Sequence, residues 1–150
     1  MLLTGTFLRA VDDKLRLAIP KRLRDALIGE GKPELYVTPG IDGSLAIYNT
    51  ATLDRLARRL AESSPTKNEV RSFNRLFYAR AECVEIDGQG RVRLPPALAE
   101  LAGLTKEAVL LGVHDHLEIW DRARWEAYLG DHAQRYDEIA EQAFQPRVDA

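Results

Sequence analysis

Two segments of the chain carry an aspartate, an arginine and a proline at the same spacing. Residues 12–20 and residues 87–95 both read Asp, three residues, Arg, three residues, Pro. The guanidinium groups of Arg16 and Arg91 are planar and permanently charged. Such a group can bind a phosphate through two hydrogen bonds, or contact O6 and N7 of guanine in the major groove. The two arginines are therefore candidates for contacts with nucleic acid.

The aspartates of these motifs have a different predicted role. Asp12 and Asp87 are expected to hold a turn by accepting backbone N–H bonds, or to orient the arginine as its partner. The alternative is a surface salt bridge that closes a turn, worth about 0–1 kcal/mol. A single Asp-x-x-x-Arg favours that alternative, whereas two copies with the same trailing proline favour function.

The residue before each arginine differs between the copies. Gly90 precedes Arg91 and allows a positive φ in a tight turn, whereas Leu15 precedes Arg16. Leucine at this position allows the first turn a different shape, and the sequence leaves open whether the two motifs contribute equally.

Basic residues crowd the first motif more than the second. Lys14, Lys21, Arg22 and Arg24 surround the first, and Arg93 alone accompanies the second. If these side chains contact phosphates, each contact releases counterions, so binding weakens with salt. The alternative is a solvated helix face. The first motif is expected to supply more of the electrostatic affinity.

The strands around the motifs show that the repeat is longer than the motif. Residues 35–38 resemble 109–113, and residues 45–48 resemble 117–120, with a helical pattern after each. Alternating apolar residues around Arg16 and Arg91 indicate half-buried strands whose arginines face solvent. The pattern predicts a tandem duplication. Its parts are one repeat at 5–50, a helical linker at 51–80, a second repeat at 81–125 and a helical tail at 126–150.

This pattern favours a mainly β fold with short helices, an α+β class. We expect the two repeats to interlock in a small swapped-hairpin β-barrel that shares one core, with C-terminal helices added. In the tail, Tyr136, Ile139 and Ala143 form one apolar face. That face is predicted either to contact another subunit or to pack on its own barrel.

The composition limits the classes of protein. The 150 residues are 45% hydrophobic and 29% charged, with no apolar run long enough to span a membrane and no secretory signal pattern at the N-terminus. Net charge is −2, but residues 1–75 carry 13 Lys/Arg against 9 Asp/Glu. The basic half of the chain is therefore the half expected to meet DNA. The single cysteine, Cys83, is predicted to lie in the core or to be half-buried at its edge.

Enzyme and metal sites receive little support from the sequence. His114 and His116 flank Asp115, but no third ligand lies nearby, and His132 stands alone on a predicted helix. No phosphate-binding glycine loop is evident. We therefore predict no catalytic residues, no cofactor, no metal and no small-molecule substrate.

Together these segments resemble the MraZ family, bacterial transcription regulators with two SpoVT-AbrB-type domains. The resemblance runs from Gly5 to about Tyr128. The segments that carry it are residues 12–20, 75–77, 85–92, 102–104 and 118–121, with Trp125. It implies a ring-like homo-oligomer that binds repeated double-stranded DNA sites in the promoter of the division and cell-wall gene cluster. It also implies that Arg16 and Arg91 are functional.

The resulting expectation is a sequence-specific DNA-binding regulator, a repressor, in the cytoplasm and associated with the nucleoid. The alternative is an oligomeric protein-interaction module of antitoxin-like type. Arg16 and its basic neighbours favour the first, because a module that binds only protein does not need them.

Overall fold

The computed structural model describes residues 1–146, in which strands alternate with short helices. The strands are β1 (Thr6–Ala10), β2 (Arg16–Ala18), β3 (Glu34–Pro39), β4 (Leu45–Asn49), β5 (Glu82–Glu85), β6 (Arg91–Arg93), β7 (Glu107–Val113) and β8 (His116–Asp121). The helices are α1 (Lys21–Ile28), α2 (Thr50–Ala61), α3 (Asn68–Tyr78), α4 (Pro96–Leu101), α5 (Arg122–His132) and α6 (Tyr136–Ala143), with a 3₁₀ turn at Ala133–Arg135. The predicted mainly β class with short helices is confirmed.

Six strands form one antiparallel sheet in the order β1-β7-β8-β4-β3-β5. This sheet is not closed by hydrogen bonds. The remaining strands, β2 and β6, pair with each other as a separate two-stranded ribbon. β2 contacts β1, and β6 contacts β5. The ribbon therefore lies beside both edge strands of the sheet.

Strand pairing interlocks the two halves of the chain. β1 pairs with β7, β3 with β5, β4 with β8, and β2 with β6, and each pair joins an N-terminal strand to a C-terminal one. The hairpins β3–β4 and β7–β8, predicted from their turn residues, are present. Neither half could bury its apolar strands alone, because each of these four pairs needs a strand from the other half.

The core draws on both halves. Leu17 of β2 and Val92 of β6 are fully buried beneath the ribbon, as their alternation with arginines predicts. The main cluster also includes Leu35, Val37, Leu45, Ile47, Leu110, Leu117 and Ile119 from the sheet, and Leu23, Leu27 and Leu98 from the helices. One shared core is therefore what holds the ribbon in place.

Cys83 is exposed, so the prediction that it lies in the core or half-buried at its edge is wrong. The reason is the position of β5, an edge strand that pairs only with β3 and buries no residue fully. The alternation of apolar residues predicted which side chains of β5 share a face. It did not predict that the face with Cys83 would be left exposed to solvent.

The helices at the C-terminal end pack unequally. α5 rests on β7 and β8, where Trp120 meets Trp125 and Tyr128 in an aromatic cluster. α6 follows the 3₁₀ turn and contains no buried residue. Among residues 1–146, no helix is both long enough and apolar enough to cross a membrane.

Candidate nucleic-acid interface

The ribbon of β2 and β6 presents three arginines on one face. Arg16 lies opposite Arg93, Leu17 opposite Val92, and Ala18 opposite Arg91. Because side chains alternate across a strand, Arg16, Arg91 and Arg93 share the outer face. Arg16 and Arg91 are diagonal neighbours, a relation that places Cα atoms about 7–8 Å apart. We call these three residues the arginine ribbon.

Each end of the arginine ribbon is held by an aspartate turn. In the first turn, Oδ1 of Asp12 accepts from the backbone N–H of Lys14 at 3.0 Å and of Arg16 at 2.7 Å. In the second, Oδ1 of Asp87 accepts from Gln89 at 2.8 Å and Arg91 at 2.9 Å. The carboxylate therefore replaces backbone partners in the turn, which is one of its two predicted roles.

The second carboxylate oxygen orients the arginine. Oδ2 of Asp12 accepts from Nε of Arg16 at 2.6 Å, and Oδ2 of Asp87 accepts from Nε of Arg91 at 3.0 Å. Each carboxylate therefore accepts from the turn backbone through one oxygen and from its arginine through the other. Among the described residues, the terminal nitrogens of the two guanidinium groups donate no hydrogen bond within the chain. These are the nitrogens that a bidentate contact with guanine or phosphate uses.

The turns also keep the aspartates ionised. The backbone N–H of Arg16 lowers the pKa of Asp12 most, with further contributions from the Arg16 guanidinium and the N–H of Lys14. The backbone N–H of Arg91 does the same for the pKa of Asp87. The lowered pKa values keep both carboxylates ionised to lower pH than an unperturbed aspartate.

The two turns have the same shape, so Leu15 in place of glycine does not alter the first turn. Leu15 adopts φ 60 and Gly90 adopts φ 78, and both turns close with equivalent backbone bonds. Leu15 accepts the left-handed conformation because its side chain packs against the core. Burial of the Leu15 side chain offsets the backbone strain of its positive φ, a strain that glycine would not have.

Arg24 lies against the second turn, beside the glycine that precedes Arg91. Its Nε donates to the carbonyl of Ile19 at 2.8 Å. A Cβ at Gly90 would lie 2.6 Å from Cζ of Arg24. The position equivalent to Arg24 in the second copy is Ala99, which like Arg24 donates its backbone N–H to a motif proline.

The other basic residues of the first motif spread over different surroundings. Lys14 is exposed at the tip of the first turn. Lys21 pairs with Asp25 at 2.8 Å on the exposed side of α1. Arg22 turns toward β1, where Nη2 donates to the carbonyl of Thr4 at 3.2 Å and the guanidinium lies over Phe7. Of the predicted phosphate contacts, Lys14 is nearest in sequence to the arginine ribbon.

The sequence did not reveal that Arg93 lies directly opposite Arg16. Sequence spacing placed it only as a neighbour of Arg91. The available signal was the matched alternation in both strands, which requires an antiparallel register between them. In residues 1–146 no group of three or more His, Cys, Asp or Glu side chains is placed to hold a metal ion.

A two-stranded β-ribbon is narrow enough to enter the major groove of DNA, which is about 12 Å wide. This ribbon would present arginine side chains to base edges, with exposed turns at both ends near the phosphates. A family model described as "MraZ protein", and likened there to antitoxins, matches twice, at residues 2–76 and 77–147.

The chain belongs to the MraZ family. Among curated relatives, the "Transcriptional regulator MraZ" of Thermomicrobium roseum is 43% identical over 123 residues, covering 82% of this chain and 84% of the relative. The protein of the same name from Saccharopolyspora erythraea is 38% identical over 138 residues, covering 92% and 94%. That of Alkaliphilus oremlandii is 40% identical over 136 residues, covering 91% and 92%. The resemblance to the MraZ family is confirmed.

Proposed function

We propose that this protein is a sequence-specific DNA-binding transcriptional regulator that reads the major groove with its arginine ribbon. The observation that carries the proposal is the common outer face of Arg16, Arg91 and Arg93, closed at each end by an aspartate turn. Membership of a family whose relatives are named transcriptional regulators supports it. In this proposal the arginines of the ribbon contact bases. Positive charge near the phosphates comes from Lys14, Lys21, Arg22 and Arg24.

The proposed target and assembly follow from the family and from the charge. A chain of net charge −2 has little general attraction for DNA. We propose that several copies in a ring-like homo-oligomer bind repeated sites in the promoter of the division and cell-wall gene cluster, as a repressor on the nucleoid. Simultaneous binding of linked copies raises avidity by about 10²–10⁴. The two AbrB-like repeats are proposed at 5–50 and 81–125, joined by 51–80 and followed by 126–150.

The test compares binding to the DNA upstream of the protein's own gene with binding to a scrambled fragment. Arg16→Ala and Arg91→Ala should each weaken binding to the upstream fragment by about 5- to 150-fold, the equivalent of about 1–3 kcal/mol for a bidentate base contact. The ratio of affinities for the upstream and scrambled fragments should fall as well. Binding of the double variant to the upstream fragment would become as weak as binding to the scrambled one.

Arg58 offers a matched control for the loss of charge. It pairs with Asp54 at 3.0 Å with the same i,i+4 spacing as Arg91 and Asp87, but it lies on α2 away from the ribbon. On a fragment with a single site, where assembly of copies does not contribute, Arg58→Ala should leave the preference for the upstream fragment intact. Unchanged binding in Arg16→Ala/Arg91→Ala, with an unchanged melting temperature, would contradict the proposal.

The second candidate is a module that binds another protein, as the description of the family as antitoxin-like suggests. It predicts no preference for upstream DNA at any salt concentration from a folded protein. The aspartate turns would then be structural. The arginine ribbon favours the DNA proposal, because its terminal guanidinium nitrogens lack partners among residues 1–146.

A further inference from the structure

An apolar groove crosses the outer face of the sheet, on the side opposite the core. Its floor is formed by Ala46 and Tyr48 of β4 and by His116 and Glu118 of β8, and its volume is about 580 Å³. We call it the apolar groove. Its walls come from α2 and α3, the 39–44 turn and α4.

The walls of the apolar groove leave large hydrophobic side chains uncovered. Leu76 is 55% exposed and Phe73 is 42% exposed, both on α3, and Ile41 of the 39–44 turn is 75% exposed. Leu101 of α4 is also exposed. Contiguous apolar surface of this kind costs free energy in water, and it marks a site of contact.

α6 is an amphipathic helix that buries no residue against the rest of residues 1–146. Tyr136, Ile139, Ala140 and Ala143 fall at i, i+3, i+4 and i+7, the spacing of one helix face. Tyr136 is 72% exposed, and Phe144 just beyond the helix is 87% exposed. α6 does not line the apolar groove, and its main contact is with the 3₁₀ turn before it. An eight-residue helix of this kind needs a surface to pack on.

The segment that forms two walls of the groove is basic and α6 is acidic, whereas the groove lining itself contains one arginine, Arg80, and one glutamate, Glu118. The segment 50–80, which contains α2 and α3, has seven Arg/Lys against three Asp/Glu, and Arg80 lines the groove. α6 has three acidic residues, Asp137, Glu138 and Glu141, and no Arg or Lys. Complementary charge of this kind selects the partner and fixes its orientation.

We propose that α6 of one copy of this chain docks in the apolar groove of a neighbouring copy. The apolar face of the helix would cover Phe73 and Leu76, and its acids would face the arginines of the neighbour. The inference rests on the proposed assembly of several copies, and it names the contact that builds it. Since helix and groove are different surfaces, the contact is head-to-tail, and it produces a closed ring or an open filament.

The experiment measures molar mass in solution, without DNA, by light scattering after size-exclusion chromatography. Leu76→Asp places a charge in the groove that repels the acidic helix. Tyr136→Lys/Ala143→Lys spoils the apolar face and repels the basic segment. All three positions are exposed, so the fold should be retained, as circular dichroism would verify. Each variant alone should have the 16.9 kDa mass of a single chain, whereas the parent protein is larger.

Mixing the two variants in equal amounts provides the decisive arm. The Leu76→Asp chain still has an intact α6, and the Tyr136→Lys/Ala143→Lys chain still has an intact groove. One parental contact remains, so the mixture should form complexes larger than a single chain, a heterodimer at the least. Leu2→Asp, at a position that is 70% exposed outside the groove, should keep the parent mass.

Three results would overturn the proposal. The parent protein could be monomeric at every concentration, as it would be if α6 folded into its own groove or the groove served another protein. Either variant could keep the parent mass. The mixture could remain monomeric. Because DNA is absent, these failures leave the binding tests of Arg16 and Arg91 unaffected, and the two proposals can fail separately.

Discussion

Leu15 and Gly90 occupy equivalent positions in the two aspartate turns and meet the same backbone requirement differently. A non-glycine residue at positive φ costs about 1–3 kcal/mol. Burying a leucine side chain fully contributes about 1.5–3 kcal/mol, and Leu15 is half-buried against the core. The two effects are of similar size, so leucine is tolerated there. At Gly90, the guanidinium of Arg24 occupies the space instead.

Gly90→Ala should therefore destabilise the protein by about 1–3 kcal/mol, because it combines positive φ with displacement of Arg24 from the carbonyl of Ile19. Urea unfolding would measure the change. Gly88→Ala is the matched control, since no atom lies within 4 Å of a Cβ built there and φ is not positive. Equal stability of the two variants would contradict this account of the turn.

The aspartates can be tested through the specificity of binding. Asp12→Asn/Asp87→Asn keeps a side-chain oxygen for the backbone N–H groups but removes the carboxylate that accepts from the arginine Nε. Because the net charge becomes more positive, binding to scrambled DNA should strengthen or stay constant. Binding to the upstream fragment should weaken severalfold as the guanidinium groups lose their orientation. A parallel rise in both affinities would show that the aspartates do not orient the arginines.

At the scale of elements, β4 and β8 carry a charged cluster on the outer face of the sheet. Nδ1 of His116 lies 2.8 Å from Oδ1 of Asp115, and its Nε2 lies 3.7 Å from Oε2 of Glu118. The ring stacks on Tyr48 with centroids 5.1 Å apart. Glu118 raises the pKa of His116 most, and Asp115 adds to it, against the opposing effect of burial.

This cluster predicts a pH dependence of stability. A histidine whose folded-state pKa is above its unfolded value of about 6.5 stabilises the fold fully below that value. The stabilisation is lost as pH rises through the folded-state pKa. Melting temperatures from pH 5.5 to 9 should therefore decline in the parent protein relative to His116→Gln. Glu118→Gln, which removes the principal partner, should flatten the same difference; a parent curve parallel to both variants would refute the role of the pair.

At the scale of the whole molecule, the fold places its two proposed interfaces on different surfaces. The arginine ribbon is separate from the six-stranded sheet, and the apolar groove lies on the outer face of that sheet. Changes in one should not perturb the other directly. A substitution in the apolar groove would then affect DNA binding only by changing the number of copies that bind together.

Leu76→Asp tests this separation with DNA. On a fragment with one site, the variant should bind about as well as a single ribbon of the parent protein. On a fragment with repeated sites, it should lose about 10²–10⁴ in apparent affinity, because linked binding is no longer available. Gel-shift titrations on both fragments would measure the ratio. An equal loss on one site and on repeated sites would mean that Leu76 affects the ribbon itself.

Local patterns were enough to predict several features of the molecule. Alternation around Leu17 and Val92 indicated half-buried strands, and turn residues indicated the β3–β4 and β7–β8 hairpins. The repeated Asp-x-x-x-Arg spacing indicated both arginines and the partner of each, because Asp and Arg lie within one turn of chain. These features depend on residues close in sequence, so the sequence alone contains their physical cause.

Other features depend on contacts between distant residues, and only the tertiary structure decided them. The register that sets Arg93 opposite Arg16 joins strands from both halves of the chain. Packing against the core gives Leu15 a conformation that its residue type disfavours. The edge position of β5 leaves Cys83 exposed. No residue of α6 is buried, although its apolar face was expected either to contact another subunit or to pack on its own barrel. Burial is a property of the assembled core, and no local pattern states which face that core will cover.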